Sequence, residues 1–258
     1  MVQASHPAPT FAFPIRTLES DRVRLEPFSA GAHAPAFWEG TRAHPALYDF
    51  LPWGPFVDPA DLLATLVDPA AAAPDRLLFA VLDKSPAPFP PPSPSPSSSS
   101  SSPSPSPVSV PYLAGITGYL HADPSSLSVE VGFLVALPAS QGRGLMSAAV
   151  ALLVQYALRL PSDPERGLGL RRVQYQAHTE NARSIALAKR LGFVFEGVQR
   201  WQRALALGKR GNGKPVREGD PGEGRVGRDS AVLALCWDDW EEGVKEKLCV
   251  PGWEMYAA

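Results

Sequence analysis

The chain has 258 residues, 45% of them hydrophobic and 19% charged, which is the make-up of a globular protein with a sizeable core. A formal net charge of −2 leaves no surplus of Lys and Arg to displace phosphate counterions, which argues against a nucleic-acid partner. No apolar run approaches the roughly 20 residues that span a bilayer, and no basic-then-apolar leader opens the sequence, so a cytoplasmic protein with no membrane partner is expected, with the nucleus open to it.

Polar and apolar residues alternate over 22–28, as in a half-buried strand. Two helical patches follow at about 31–48 and 59–68, separated by the turn-rich stretch 51–55. Residues 76–82 form an apolar strand. Residues 85–111 are almost entirely Ser and Pro and hold more than a third of the 29 prolines. Such a segment has too few apolar side chains to offset ordering entropy, and it is expected to be disordered. Because a second strand, 112–120, follows at once, the segment reads as an overgrown hairpin loop rather than a linker between domains.

Further strands are expected at 128–135 and 171–177, with an apolar helix between them at 144–160. A second helix runs over 181–191, with Asn181 as its N-cap, Lys189 and Arg190 in its last turn and Gly192 just beyond. The last strands, 198–207 and 230–237, flank a Gly-rich, flexible stretch at 208–227. Helices interleaved with strands make an α/β (α+β) layer fold around one mixed sheet of about seven strands flanked by about four helices. The whole chain reads as a single domain with its core at about 22–240.

Chemistry concentrates where the strand carrying Glu130 runs into Gln141-Gly142-Arg143-Gly144 and then opens a helix. Glycines let the backbone turn sharply and bring several N–H groups together, and the positive end of the helix dipole adds to them, which makes a cradle for phosphate. A bland tight turn is an equal reading of those residues alone. A dinucleotide fingerprint fails on two counts. Ser147 stands where the third glycine is needed, and the next strand carries Gln174 and Gln176 instead of an acid. The absence of a following Gly-Lys-Ser/Thr excludes a P-loop. Cys236 and Cys249 lack metal-ligand spacing, so no metal is expected.

The turn Gln141–Met146 resembles the Q/R-x-x-G-x-G/A motif of Gcn5-related N-acetyltransferases (GNAT). Asn181-Ala-Arg-Ser184, the run Leu191-Gly-Phe-Val-Phe-Glu-Gly197 and the tail from Arg228-Asp229 to Asp239-Trp240 are similar to the RimJ/RimL-like branch. The resemblance implies the acyl-CoA N-acyltransferase fold and acetyl-CoA as cosubstrate. It implies that backbone N–H groups of Gly142, Arg143, Gly144, Leu145 and Met146 bind the pyrophosphate, with Gln141 and Arg143 shaping the turn. Leu134 and Ala136 would pair with the pantetheine arm, and Asn181 and Ser184 would touch it near the sulfur. For Asn181 a plain N-cap, and for Ser184 a hydroxyl satisfied by its own backbone, are equal readings.

An amine must lose a proton before it attacks a thioester, and Glu130 is the candidate base. A solvated strand carboxylate is the alternative, and His121 and His178 are lesser candidates. By strict strand alternation Val129, Val131 and Phe133 face one way and Glu130, Gly132 and Leu134 the other. Two departures from the family pattern stand out. Ala188 occupies the place of the Tyr that protonates the leaving thiolate, so either Ser184 or water takes that role, or no acid is needed because a thiolate is an adequate leaving group. Met146 replaces a Gly or Ala and would crowd the turn.

These features imply transfer of acetyl from acetyl-CoA to a primary amine in a ternary complex, the acceptor being a small molecule or peptide. A CoA-binding regulatory protein of weakened turnover is the alternative. The acceptor site is expected between the first two helices and the final hairpin, with residues 50–56 as lining, and the protein as a monomer or homodimer.

Overall fold

In the computed structural model, which describes residues 8–85, 112–163, 166–222, 224–248 and 252–257, nine strands join in one sheet. They are β1 (Arg16–Glu19), β2 (Val23–Pro27), β3 (Leu77–Asp83), β4 (Tyr112–Asp123), β5 (Ser128–Ala136), β6 (Arg172–His178), β7 (Val194–Leu205), β8 (Val226–Cys236) and β9 (Glu254–Ala257). Their order is β7-β8-β6-β5-β4-β3-β2-β1-β9. Among the described strands only β5 and β6 pair in parallel, which makes the sheet mixed as expected. The count exceeds the expected seven because β1 and β9 pair with each other at one edge. Each has four residues, too few for an alternating pattern to show. The Ser/Pro-rich run at 86–111 lies outside the described residues; β3 and β4 on either side of it pair antiparallel.

Gly118 shows how tightly that pairing is made: a Cβ there would sit 2.1 Å from the Leu77 carbonyl oxygen, so no other residue fits. Helix α1 (Ala30–Thr41) starts at Ser29, whose side chain accepts from the Ala32 N–H, and α2 spans residues 59–72 behind an Asp58 cap. A short 3₁₀ turn, Pro45–Tyr48, stands where the first helical patch was expected to continue. Helix α3 (Leu145–Leu158) is buried nearly all round, in keeping with its Leu, Val and Ala content. Helix α4 (Ala182–Arg190) ends at Gly192, whose φ of +92° makes the left-handed turn that stops it. A last helical stretch at 237–247 buries Trp240. None of the described helices is long and apolar enough to cross a membrane.

Two hydrophobic clusters lie on the sheet. The larger packs β1–β6 and β8 against α3 and α4, with Val129, Val131, Tyr175, Leu153 and Leu187 among its members. The smaller lies under α1 and α2 and takes in Phe37, Leu62, Ile116, Phe133 and Val135. At roughly 1.5–3 kcal/mol for each fully buried large apolar side chain, these clusters dominate the stabilisation.

Strand β5 changes phase within its length. Its pairing with β4 advances from Ile116↔Val135 to Gly118↔Gly132, three residues against two, and Phe133 sits at φ +56°. This bulge corrects the strict alternation expected from sequence. Phe133 turns to the smaller cluster, away from Val129 and Val131, while Leu134 packs against the larger one. Leu134 therefore does not share a face with Glu130. The extra residue rotates everything beyond it by half a period.

Candidate active site

The parallel ladder between β5 and β6 ends at Val131↔Tyr175, although β5 continues to Ala136 and β6 to His178. The strands part there, and backbone groups at the end of β5 face a gap instead of a neighbour. Two cavities meet at this gap. A groove of about 420 Å³ is lined by Leu134, Ala136, Gln141, Gly142, Gly144, Met146, Arg183, Arg190 and neighbours. A smaller cavity of about 80 Å³ is lined by residues 50–53, Glu130, Phe133, Gln176, His178, Arg203 and Arg228. Leu134, Asn181 and Ser184 line both.

The groove is built on the turn into α3. Gly142 and Gly144 both have φ +75°, a conformation that costs L-residues with a Cβ about 1–2 kcal/mol. With these two turns, α3 begins without any side-chain cap, and its first helical bond is donated by the Ala148 N–H to the Gly144 carbonyl. The N–H groups of Leu145, Met146 and Ser147 are left pointing out of a 14-residue helix, where an anion is favoured. Gln141 donates to the Ala136 carbonyl at 3.4 Å, closing the turn on the end of β5.

Arg143 lies apart from the groove lining. Its guanidinium is 2.6 Å from Asp83, whose side chain is fully buried, and it also bonds the Tyr112 hydroxyl, which in turn donates to Asp83. Arg22 donates to the Arg143 carbonyl at 2.6 Å. Arg143 thus fastens the turn to the ends of β3 and β4. Met146 rests against the larger cluster as groove wall. The groove's cations are Arg183 and Arg190, which sequence reasoning missed. With Leu187 they stand at i, i+4 and i+7 on α4, a spacing that places all three on one helix face and was open to reading in the sequence.

Asn181 accepts from the Ser184 N–H at 3.1 Å, so its side chain caps α4 while lining both cavities. Ser184 Oγ lies 2.9 Å from the Tyr175 hydroxyl. Burial pushes that phenol up to about 12, which keeps it protonated. Ala188 is buried in the larger cluster. The hydroxyl pair of Tyr175 and Ser184 is therefore supplied from β6 and α4 at the meeting point of the cavities.

Glu130 is 3% exposed, which rules out a solvated strand carboxylate. Its Oε2 lies 3.1 Å from His121 Nδ1 and accepts from Gln174 Nε2 at 3.1 Å, while Oε1 has no hydrogen-bond partner among the described residues. The Glu130 hydrogen bond raises the His121 pKa against the opposing effect of burial. His178 serves a different purpose. Its Nδ1 accepts from the Glu180 N–H and its Nε2 faces the Arg210 carbonyl at 3.0 Å, so both ring nitrogens are engaged by backbone. Burial lowers its pKa, which keeps it neutral.

The wall of the smaller cavity is pinned from the loop after β7: Lys209 donates to the carbonyls of Tyr48 and Trp53 at 2.8 and 3.0 Å. Residues 50–53 and the β7–β8 hairpin line it, whereas neither α1 nor α2 does, and Phe56 is core. Outside this region, Cys236, Asp238 and Asp239 gather within 4.8 Å, where Asp239 accepts from the Cys236 N–H to start the last helical stretch.

Residues 22–194, well over half of the chain, match the family model described as the acetyltransferase (GNAT) domain. The chain belongs to the GNAT acetyltransferase family. Solved GNAT structures share its fold. A probable acetyltransferase from Chromobacterium violaceum superposes with a TM-score of 0.65 at 22% identity, over 93% of this chain and 94% of its own. A putative acetyltransferase from T. thermophilus gives 0.64 at 25% identity, over 92% and 97%. The microcin C7 self-immunity acetyltransferase MccE, solved with acetyl-CoA and AMP, gives 0.57 at 16%, over 84% and 93%. A search of curated protein sequences finds no match. In this GNAT chain the groove fits a CoA-type ligand by its own chemistry: uncapped helix N–H groups, two left-handed glycines and two arginines converge on it.

Proposed function

We propose that this GNAT protein is an acetyl-CoA-dependent N-acetyltransferase of the RimJ/RimL-like branch that acts in the cytoplasm on a primary amine of a small molecule or peptide. The observation that carries this reading is the meeting of two separate cavities at Leu134, Asn181 and Ser184, where β5 and β6 have parted. Two substrates can enter from opposite faces of the sheet and touch there, which suits direct transfer in a ternary complex without a covalent enzyme intermediate.

When bound, acetyl-CoA supplies an activated acyl group. The N–H groups at Gly142–Met146 hold phosphate, Arg183 and Arg190 neutralise charge along the groove, and the free backbone at Leu134 and Ala136 orients the arm. Glu130 takes the amine proton at Oε1, with His121 and Gln174 fixing the carboxylate through Oε2. Ser184, backed by the buried Tyr175 hydroxyl, relays a proton to the leaving thiolate and regains one from water as it does so. This pair offers a donor where Ala188 lacks one, Ala188 being a main support for a regulatory protein of weakened turnover. The chain is read as one domain, monomeric or homodimeric, with the Ser/Pro-rich run inserted between two paired strands.

The test is thiol release from acetyl-CoA with a panel of amines, read beside CoA binding by calorimetry. Amine-dependent thiol release with an acetylated product in the mass spectrum supports the enzyme. CoA binding with no release for any amine supports the regulatory protein.

A further inference from the structure

Arg203 on β7 and Arg228 on β8 are direct cross-strand partners, and both line the smaller cavity. Like charges placed opposite each other on a sheet repel, and such pairs are selected against unless something neutralises them. Glu130 acts on Arg228 only through space, from beyond ion-pair distance. No ion pair or hydrogen bond holds either guanidinium among the described residues. Arg228 is only 5% exposed, and its Nε is buried without a partner. Burial, then the Arg203 charge, lowers the Arg228 pKa to about 10, so the cation is present at neutral pH but held at a cost. The carboxylate of the same cavity, Glu130, spends Oε2 on His121 and Gln174 and lies beyond ion-pair distance of both arginines.

The cavity therefore carries an unpaired carboxylate oxygen and, apart from it, two unpaired guanidinium groups. We propose that Arg203 and Arg228 form an oxyanion subsite, and that the acceptor is a small zwitterion-forming amine whose carboxylate or phosphate they bind while its amine faces Glu130. Guanidinium groups hold carboxylate and phosphate oxygens by paired, charge-assisted hydrogen bonds, the interaction these two side chains lack. The small cavity, about 80 Å³, suits a short amine of this kind. The inference rests on the acetyl-transfer reading and narrows its substrate class.

The experiment uses the full chain saturated with acetyl-CoA and matched amine pairs: amino acids against their primary amides, and phosphoethanolamine against ethanolamine. The amides are the less basic amines, so basicity alone favours the wrong member of those pairs. Thiol release is expected with a kcat/KM at least about tenfold higher for the anionic member, and R203Q and R228Q should each reduce that preference by about tenfold. The preference of carboxylate over phosphate, or the reverse, identifies the oxyanion. Equal or faster turnover of the neutral members, or a preference that survives in R203Q/R228Q, overturns the subsite while leaving acetyl transfer intact. If no amine releases thiol, the acetyl-transfer reading fails, and the subsite is read directly with inorganic phosphate titrated into CoA-saturated protein. Phosphate binding that R203Q abolishes supports it, and absence of binding to the wild type overturns it. R203Q, at a half-buried position, keeps the test available if R228Q does not fold.

Discussion

Replacing Glu130 by Gln tests the proposed base most directly. The two side chains have nearly the same shape, so the buried site stays filled, and only the proton-accepting oxygen is lost. His121 can still donate to the new amide oxygen, but Gln174 then faces either that oxygen or an NH₂ group that repels its own. With the amide oxygen at the Oε2 position both bonds persist but lose the charge of their acceptor, which costs about 1.5–3 kcal/mol of stability at most. The kinetic effect is larger. A positioned general base contributes about 10²- to 10⁴-fold, or roughly 3–5 kcal/mol of activation free energy. Turnover of E130Q should fall by that factor near neutral pH, measured as thiol release under saturating acetyl-CoA. CoA affinity measured by calorimetry should hold, because Glu130 lines the smaller cavity and not the groove. The pH profile separates base loss from general damage. Without a base the enzyme depends on the small fraction of free amine, so the E130Q rate should keep climbing toward the amine's own pKa while the wild type levels off earlier. An E130Q rate within about tenfold of wild type with an unchanged pH profile would refute the assignment.

Ser184→Ala should lower kcat by about 10- to 100-fold and Tyr175→Phe by less, with the gap closing for acyl donors whose thiols are more acidic; an unchanged kcat for S184A removes the hydroxyl pair as proton donor. Arg143→Met leaves the fully buried Asp83 without its cation and should cost about 3–5 kcal/mol in chemical denaturation, most of it restored by adding Asp83→Asn, whereas a loss under about 1 kcal/mol would show the pair to be incidental. The two histidines should give pH signatures of opposite sign. His121 has a raised folded pKa, so its contribution is complete below the ordinary histidine value near 6.5 and fades as pH rises through the raised value. His178 has a lowered one, so its contribution is present above about 6.5 and is lost as pH falls through the folded value. The Tm gap between wild type and H121Q should shrink from pH 6 to pH 9, and that of H178Q should widen; parallel trends would contradict both environments.

The sequence was legible where local chemistry sets the structure. The turn glycines, the Asn181 cap and the strand–helix order around Gln141 follow from backbone geometry alone, and the structure has them in place. Legibility failed where a contact joins distant segments. β9 pairs with β1 across almost the whole chain, and four residues carry no period. Arg203 and Arg228 are 25 positions apart around a long loop, and only the β7–β8 register sets them opposite each other. Tyr175 is core, and its hydroxyl reaches Ser184 only because β6 and α4 pack closely. Glu130 was visible as an acid on a strand, whereas its burial and its His121 and Gln174 partners needed three strands to be assembled.

The bulge at Phe133 gives the deepest reason for the difference between pattern and site. A residue with a Cβ held at φ +56° costs about 1–3 kcal/mol, and burial of the Phe133 ring among Ile116, Val135 and Leu137 offsets it. A regular strand would turn Phe133 toward the groove side and Leu134 toward Glu130, and it would keep β5 in step with β4 to its end. The inserted residue instead leaves Glu130 on the side of the smaller cavity and swings Leu134 to the larger cluster, so that one strand serves both cavities within five residues. Alternation is the strongest signal a strand offers, and here it misleads at the one point where the strand must serve two faces. The strain is confined to the stretch where β5 has left β6, where no ladder hydrogen bond to that neighbour is forfeited by the extra residue.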